Sequence, residues 1–166
     1  MPRGERGEVV ISGPVVMRGY LNLPEVTAQT IVDGWLHTGD VGILDDEGYL
    51  RIVGRIKDMI IRGGENIYPK EIESVLTAFD GVLDAAVVGR PHEILGEVPV
   101  AYIQAYPGTV LDVDSLAAHC RRNLAKVKVP EVITLVEELP KNPIGKPDKP
   151  ALRRIAANDV SAAATT

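Results

Sequence analysis

The chain has 166 residues, with 18 basic and 23 acidic side chains and a formal net charge of −5. An acidic chain without a dense basic run argues against nucleic acid as the main partner. No stretch approaches the roughly 20 apolar residues of a membrane span, and the first residues lack the apolar segment of a signal peptide. A cytoplasmic location is therefore expected. Cys120 is the only cysteine, which excludes an intrachain disulfide and a cysteine-based zinc site.

The first third of the chain is predicted to form short strands separated by turns. Its β-branched runs are interrupted by Gly, Pro and Asp clusters, which are typical of turns. The pattern predicts two strands within 8–17, a loop and a brief helix within 21–31, a turn at 45–48, a strand at 49–53, and its hairpin partner at 59–61.

The rest of the chain alternates between helical and extended patterns. A helix is predicted to begin at Pro69, because a proline in the first turn gives up only an N–H that has no partner within the helix. Either Asp112 or Asp114 can cap a second helix, whose apolar stripe includes Cys120. Three strands and a last helix complete the prediction, at 82–88, 98–105, 132–136 and 148–157.

This order of elements predicts an α+β fold, in which a small sheet is flanked by helices. We place a boundary near Lys57, where strand-rich material gives way to the alternating pattern. The predicted domains are a β-rich segment at 1–56, a small α+β domain at 57–158 and a disordered tail of small residues at 159–166.

Four short motifs occur in a fixed order along the chain: Thr-Gly-Asp at 38–40, Gly-Arg-Ile-Lys-Asp at 54–58, Gly-Gly-Glu-Asn-Ile-Tyr-Pro at 63–69, and Pro-Ile-Gly-Lys at 143–146. Together they resemble the carboxyl-terminal region of the adenylate-forming superfamily, which includes acyl-CoA synthetases, luciferases and adenylation domains of peptide synthetases. These enzymes join a carboxylic acid to AMP and then transfer the acyl group to a thiol. The resemblance implies a short remnant of the large amino-terminal domain, followed by the mobile carboxyl-terminal domain.

Lys146 is the candidate catalytic residue. When a carboxylate attacks the α-phosphate of ATP, two anions meet and pyrophosphate leaves, so a cation is needed at the reacting centre. A lysine ammonium can serve there as a point charge, and Gly145 allows a tight loop before it. The resemblance implies this role in the first half-reaction. For an isolated Gly-Lys pair, a solvated turn would be the simpler interpretation.

Asp40 and Arg55 are the candidate ligands of the ATP ribose. A carboxylate can accept hydrogen bonds from both ribose hydroxyls, and an arginine can donate to the same sugar. The resemblance assigns both side chains to that contact. Taken singly, Asp40 could be a turn cap and Arg55 half of a surface ion pair.

Two further roles depend on the resemblance. Lys57 corresponds to the hinge about which the small domain turns between the half-reactions, and a hinge must absorb large backbone changes. Arg62, Gly63 and Gly64 correspond to the loop that lines the channel for the pantetheine of CoA, since two glycines let a ligand approach the backbone closely. A simple hairpin turn is the alternative interpretation of the glycine pair.

Two positions depart from parts of the family. Asn66 stands where acetyl-CoA synthetases typically carry an arginine, so the motif is more similar to medium-chain, long-chain and aryl acyl-CoA ligases. Pro147 replaces a usual aliphatic residue after Lys146 and favours an extended backbone there. His37, His92 and His119 have no spacing typical of metal ligands, and no metal site is expected in this chain.

The resemblance implies ATP with Mg²⁺, CoA and a carboxylic acid as the small-molecule partners. In the family, the phosphate-binding loop, the adenine site, the acidic motif that helps to hold magnesium and the acyl pocket precede the segment that begins near Gly7. The chain is therefore expected to be a truncated acyl-CoA ligase of the fatty-acid type, inactive without its missing amino-terminal domain.

Two other functions are compatible with the same motifs. The first is an adenylation domain that loads a carrier protein instead of free CoA. The second is a non-catalytic interaction module derived from the family. Homodimer formation through strand edges within 8–17 is also compatible, because uncovered edges invite pairing.

Overall fold

The computed structural model describes residues 2–163. The chain divides into two compact units, Met1–Lys57 and Asp58–Thr166. No helix within residues 2–163 is both long and apolar enough to cross a membrane.

The first unit is built around an antiparallel sheet with one long central strand. This strand pairs with each of the others, and a short helix precedes the shortest of them. The elements are β1 (Arg6–Ile11), α1 (Pro24–Thr30), β2 (Ile31–Val32), the central β3 (Trp35–Leu44) and β4 (Leu50–Arg55).

The second unit contains a mixed sheet with the order β6-β5-β8-β7, and β9 runs parallel to β8. Its strands are β5 (Ile60–Arg62), β6 (Glu65–Ile67), β7 (Val82–His92), β8 (Gly96–Ala105) and β9 (Val132–Val136). Helix α2 (Pro69–Thr77) precedes β7, α3 (Val113–Asn123) lies between β8 and β9, and α4 (Lys149–Ala163) follows the sheet. The predicted α+β fold is confirmed.

Both faces of the β7–β8 hairpin are covered, because alternate side chains along a strand point to opposite faces. Val87 belongs to a buried cluster with Ile72 of α2 and Leu116 of α3. Its neighbour Val88 belongs to a second buried cluster with Leu152 of α4. A strand buried on both faces is apolar along most of its length, which explains the pattern of β7.

Helix α3 confirms one of the two predicted caps. The Asp112 carboxylate accepts hydrogen bonds from the Ser115 amide, at 2.9 Å, and from the Ser115 hydroxyl, at 2.6 Å. These bonds lower the pKa of Asp112 from its ordinary value. Cys120 lies on the buried face of the helix, and burial raises the pKa of its thiol. The cysteine is therefore a neutral core residue, as its place in the apolar stripe predicted.

Three sequence predictions of elements are wrong. Only β1 forms within 8–17, because the chain turns at Gly13, where φ is 106°. Residues 59–61 do not pair with β4. A 3-10 turn at Ile56–Asp58 follows β4, and β5 joins the sheet of the second unit. Helix α4 continues beyond 157 to Ala163, which fits the alanine-rich sequence there. The predicted tail at 159–166 is thus helical as far as Ala163, and residues 164–166 lie outside the described residues.

Candidate functional site

Asp40 and Arg55 lie opposite each other on the antiparallel strands β3 and β4. The Arg55 Nε donates a hydrogen bond of 2.7 Å to the Asp40 Oδ1. The Asp40 side chain is 30% exposed and the Arg55 side chain 53% exposed, so both groups face water. The structure thus brings together the two residues that the sequence assigned to one contact. The pair combines an acceptor and a forked donor within reach of one polar ligand.

Glu8 of β1 supports this corner of the sheet, and the sequence analysis missed it. Its Oε1 accepts the Gly39 amide at 3.1 Å, and its Oε2 lies 2.8 Å from the His37 Nδ1. The Thr38 hydroxyl adds a bond of 2.6 Å to the Val9 carbonyl. These contacts hold the part of β3 just before Asp40 against β1. Only the pairing of β1 with β3 brings Glu8 to this place, so the sequence offered no direct signal.

An open groove of about 330 Å³ lies beside the pair and is lined by Thr38, Gly39, Arg55, Ile56 and Lys57. Lys57 is exposed and lies in the 3-10 turn at the end of the first unit. A short turn without a buried side chain can change its backbone angles at little packing cost. The position is therefore compatible with the hinge that the sequence predicts.

Lys146 follows a tight turn in the second unit. The Gly145 amide donates to the Asn142 carbonyl at 2.9 Å, and Gly145 has a φ of 78°. Asn-Pro-Ile-Gly is a typical type I turn sequence, with Asn first, Pro second and Gly fourth. The Asn142 Oδ1 accepts the amides of Ile144, at 3.1 Å, and Lys146, at 3.0 Å. The side chain of Lys146 is exposed.

Buried anchors hold both ends of this loop. Leu139 before it and Leu152 after it are each 1% exposed and belong to the same core cluster. At the base of the loop, the Asp148 amide donates to the Pro140 carbonyl at 2.7 Å. The exposed lysine is thus carried on a short loop that is closed at its base by the core.

Helix α4 is tied to the sheet by a carboxylate of α2. The Lys149 Nζ lies 2.7 Å from the Glu73 Oε1, and each side chain is 19% exposed. The same Glu73 oxygen accepts the Val87 amide of β7 at 2.9 Å. One carboxylate therefore links α2, β7 and the start of α4.

We expect Glu73→Gln to lower the free energy of unfolding of this chain by about 1–2 kcal/mol, because glutamine keeps an acceptor for Val87 but loses the charge that pairs with Lys149. Urea unfolding followed by far-ultraviolet circular dichroism measures this, since α2, α3 and α4 all lie in the second unit. Glu71→Gln is the matched control. Its pair with Lys128 is more exposed, at 40% for the glutamate side chain, so its loss is expected to be about 0.5 kcal/mol. Equal losses in the two variants would contradict this interpretation.

The loop of Arg62, Gly63 and Gly64 forms the turn between β5 and β6. Arg62 pairs with Glu65, and both glycines have positive φ, which a tight hairpin of type I′ requires. Both glycines are exposed. The hairpin interpretation of the sequence is thus correct for the backbone. The Gly63 amide donates to the Leu95 carbonyl at 2.8 Å, and the space beside Gly64 is open to a ligand.

Arg62 itself reaches away from that turn. Its Nη1 donates to the Val127 carbonyl at 2.8 Å, and its Nη2 lies 4.0 Å from Glu131. An open groove of about 480 Å³ adjoins these groups, and its lining also includes the cationic side chains of Arg121 and Lys126. The groove therefore carries a concentration of positive charge that could bind phosphate groups.

The histidines make structural contacts. His119 bonds to the Val75 carbonyl at 3.0 Å and meets the ring of Phe79 edge-on. The His92 Nδ1 lies 3.2 Å from the Leu95 amide. Within residues 2–163, no group of three or more His, Cys, Asp and Glu side chains is arranged to hold a metal ion.

The predicted site residues are divided between the two units. Asp40, Arg55 and Lys57 belong to the first unit, whereas Lys146 and the loop of Arg62 belong to the second. Asn142 is the site residue that sequence analysis could have found, because its turn sequence is explicit.

Comparisons with known proteins find similarity to acyl-CoA ligases. The family model described as the AMP-binding enzyme C-terminal domain matches residues 71–146. A methyl-dioxo-octahydro-indenyl-propanoyl:CoA ligase of Rhodococcus jostii is 52% identical over 151 residues, which cover 90% of this chain and 29% of that ligase. The 2-succinylbenzoate–CoA ligase of Bacillus cytotoxicus is 46% identical over 155 residues, or 93% of this chain and 32% of that ligase.

A solved structure gives the same result. The o-succinylbenzoate CoA synthetase of Bacillus subtilis, in complex with its acyl-adenylate intermediate, superimposes with a TM-score of 0.86 at 38% identity. The match covers 92% of this chain and 31% of that protein. The chain thus spans less than a third of the length of these relatives and matches their carboxyl-terminal part. The resemblance to the carboxyl-terminal region of the adenylate-forming superfamily, whose members include acyl-CoA ligases, is therefore confirmed.

Proposed function

We propose that this chain is the carboxyl-terminal part of an ATP-dependent acyl-CoA ligase, and that it supplies a catalytic lysine to a nucleotide bound largely by other residues. The observation that carries this proposal is the exposed Lys146 on a closed loop with buried anchors. A cation in that setting is held by the backbone, yet it can reach a substrate outside its own unit.

In the first half-reaction, a carboxylate oxygen of the acid attacks the α-phosphorus of ATP. A new phosphorus–oxygen bond forms, the bond to the β-phosphate oxygen breaks, and pyrophosphate leaves with its negative charge. The ammonium of Lys146 draws the two anions together and stabilises the charge that builds up on the phosphate oxygens. It transfers no proton in this step, so its charge and position are what matter.

Asp40 and Arg55 hold the ribose of the same nucleotide. The Asp40 carboxylate accepts from the ribose hydroxyls, while the guanidinium of Arg55 holds the carboxylate in place. Lys57, next to the groove, is the pivot between the half-reactions. Mg²⁺ would accompany the triphosphate and neutralise part of its charge, and we propose that its protein ligands lie outside this chain.

In the second half-reaction, the thiol of CoA attacks the acyl carbon of the adenylate. The sulfur–carbon bond forms, AMP leaves, and the thiol proton passes to solvent. The open backbone of Gly63 and Gly64 lines the path of the pantetheine arm. The neighbouring groove of Arg62, Arg121 and Lys126 offers cations to the phosphates of CoA.

We propose that the carboxylic acid substrate is large and apolar. Asn66 favours the medium-chain, long-chain and aryl branches, of which the fatty-acid type is our first choice. The relatives named above favour a second candidate, since their names specify ring-bearing acids. Assay of a full-length parent enzyme with dodecanoate and with a ring-bearing acid such as ferulate distinguishes the two. A carrier protein in place of CoA is the alternative acceptor, and assay with both acceptors tests it.

A chimera tests the proposed activity. In it, this chain replaces the matching carboxyl-terminal part of the Rhodococcus jostii ligase, with which it shares 52% identity. We expect ATP–pyrophosphate exchange with the acid of that ligase, followed by formation of its CoA thioester. This chain alone is expected to show no exchange, because it spans less than a third of the length of that ligase. A folded chimera without exchange activity, or strong exchange by the isolated chain, would contradict the proposal.

A further inference from the structure

We infer that Asn142 is the positioning residue for the catalytic lysine, an inference that rests on the proposed function. Its side chain and backbone fix the peptide groups on both sides of Lys146. The carboxamide Oδ1 accepts the Lys146 amide at 3.0 Å, and the Asn142 amide donates to the Lys146 carbonyl at 2.8 Å. Both backbone polar groups of Lys146 are therefore bonded to one residue.

The bond to the Lys146 amide goes beyond what an ordinary turn provides. An asparagine at the first position of a type I turn commonly accepts the amide two residues later, which here is that of Ile144. The same oxygen also accepts the amide four residues later. The additional bond is made to the residue that carries the reacting cation. It holds the segment after the turn close to Asn142.

The surroundings of the loop explain why this bond is needed. The loop residues 143–146 are exposed, so packing does not determine their conformation. The core acts only on the two ends, through Leu139 and Leu152. An isolated bridge between Lys141 and Pro147 aligns the stem of the loop, while Asn142 shapes the part beyond it. The direction in which Lys146 leaves the loop thus depends on the carboxamide oxygen of Asn142 together with the bond from the Asn142 amide to the Lys146 carbonyl.

The position of Asn142 in the loop predicts that its loss affects the rate of adenylation more than the stability of the fold. Loss of the oxygen releases two amides that water can solvate, so the fold loses little free energy. Adenylation, by contrast, depends on the exact placement of a cation against the developing charge. A residue that only stabilises the second unit would instead impair both half-reactions together.

The kinetic test uses the chimera with Asn142→Ala, Asn142→Asp and, as a matched control, Asn158→Ala, which removes an exposed asparagine of α4. We expect Asn142→Ala to lower kcat for adenylation about tenfold, the equivalent of one hydrogen bond. Thioester formation from supplied acyl-adenylate is expected to stay unchanged. Asn142→Asp keeps an acceptor oxygen. Its kcat for adenylation is therefore expected to lie within about threefold of the wild-type value, a smaller loss than removal of one hydrogen bond would cause. The control is expected to match the wild type.

A second measurement uses this chain alone and does not depend on activity. Amide hydrogen exchange followed by NMR should show the Lys146 amide exchanging about tenfold faster in Asn142→Ala, with the Leu152 amide unchanged. Unchanged exchange at Lys146, equal adenylation losses in the alanine and aspartate variants, or equal loss of both half-reactions would overturn the inference. A wild-type chimera without activity would contradict the proposed function instead, whatever the exchange experiment shows.

Discussion

Lys146→Ala in the chimera is expected to lower the rate of adenylation about 10³-fold, the scale at which removal of one transition-state cation or oxyanion donor acts. The reason is electrostatic, since alanine leaves the attacking carboxylate and the α-phosphate to meet without a neutralising charge. Thioester formation from supplied acyl-adenylate is expected to change little, because that step involves no attack of one anion on another. ATP–pyrophosphate exchange measures the first step and release of AMP measures the second.

Lys141→Ala is the matched control, since Lys141 is an exposed lysine in the stem of the same loop. This variant removes one positive charge from the loop, as Lys146→Ala does, but leaves the lysine after the turn in place. Near wild-type rates are therefore expected for both steps. An equal loss of both half-reactions in Lys146→Ala would show that the lysine is not specific to adenylation. A comparable loss in Lys141→Ala would show that only the overall charge of the loop matters.

Asp40→Asn is expected to raise the KM for ATP in the chimera by about 10- to 100-fold, since a charge-assisted hydrogen bond contributes about 1.5–3 kcal/mol. The substitution preserves the shape of the side chain but weakens its acceptance of the ribose hydroxyls. It also removes the negative charge that pairs with Arg55, whose Nε lies 2.7 Å from the Asp40 Oδ1. Initial rates over a range of ATP concentrations give KM and kcat separately, and the main change is expected in KM.

A modified nucleotide distinguishes ribose contact from a general structural role. The chimera with Asp40 intact is expected to prefer ATP to 2′-deoxy-ATP, and Asp40→Asn should lose much of that preference. Asp46→Asn, in the exposed turn between β3 and β4, removes a carboxylate from the same unit and is expected to leave KM unchanged. A variant of Asp40 that still discriminates fully between the two nucleotides would contradict the ribose assignment.

Features set by neighbouring residues could be predicted from the sequence. Helix α2 begins at Pro69 as expected, and the Asp112 cap depends on an amide only three residues away. The hairpin of Gly63 and Gly64 is equally local, because the backbone angles that it needs suit glycine. The turn around Asn142 belongs to the same class, since Asn-Pro-Ile-Gly specifies it, although the sequence analysis considered only the Gly-Lys pair.

Features that depend on distant residues could not be predicted in this way. An apolar triplet such as 59–61 pairs with whichever edge the rest of the fold presents, so β5 joined β6 and β8 instead of β4. Glu8 supports the part of β3 just before Asp40 only because β1 pairs with β3. Glu73 meets Lys149 only because α2 and α4 both pack against β7.

The sequence by itself determined the family, the order of most elements and the identity of the candidate residues, because motifs, caps and turns act through covalent neighbours. Tertiary structure alone decided that Asp40 and Arg55 form an ion pair and that Arg62 bonds to the Val127 carbonyl. It also decided that Leu139 and Leu152 anchor the two ends of the Lys146 loop in one core. The physical reason is that hydrogen bonds and ion pairs form between whichever groups burial of the apolar side chains brings together, and that burial is a property of the whole fold.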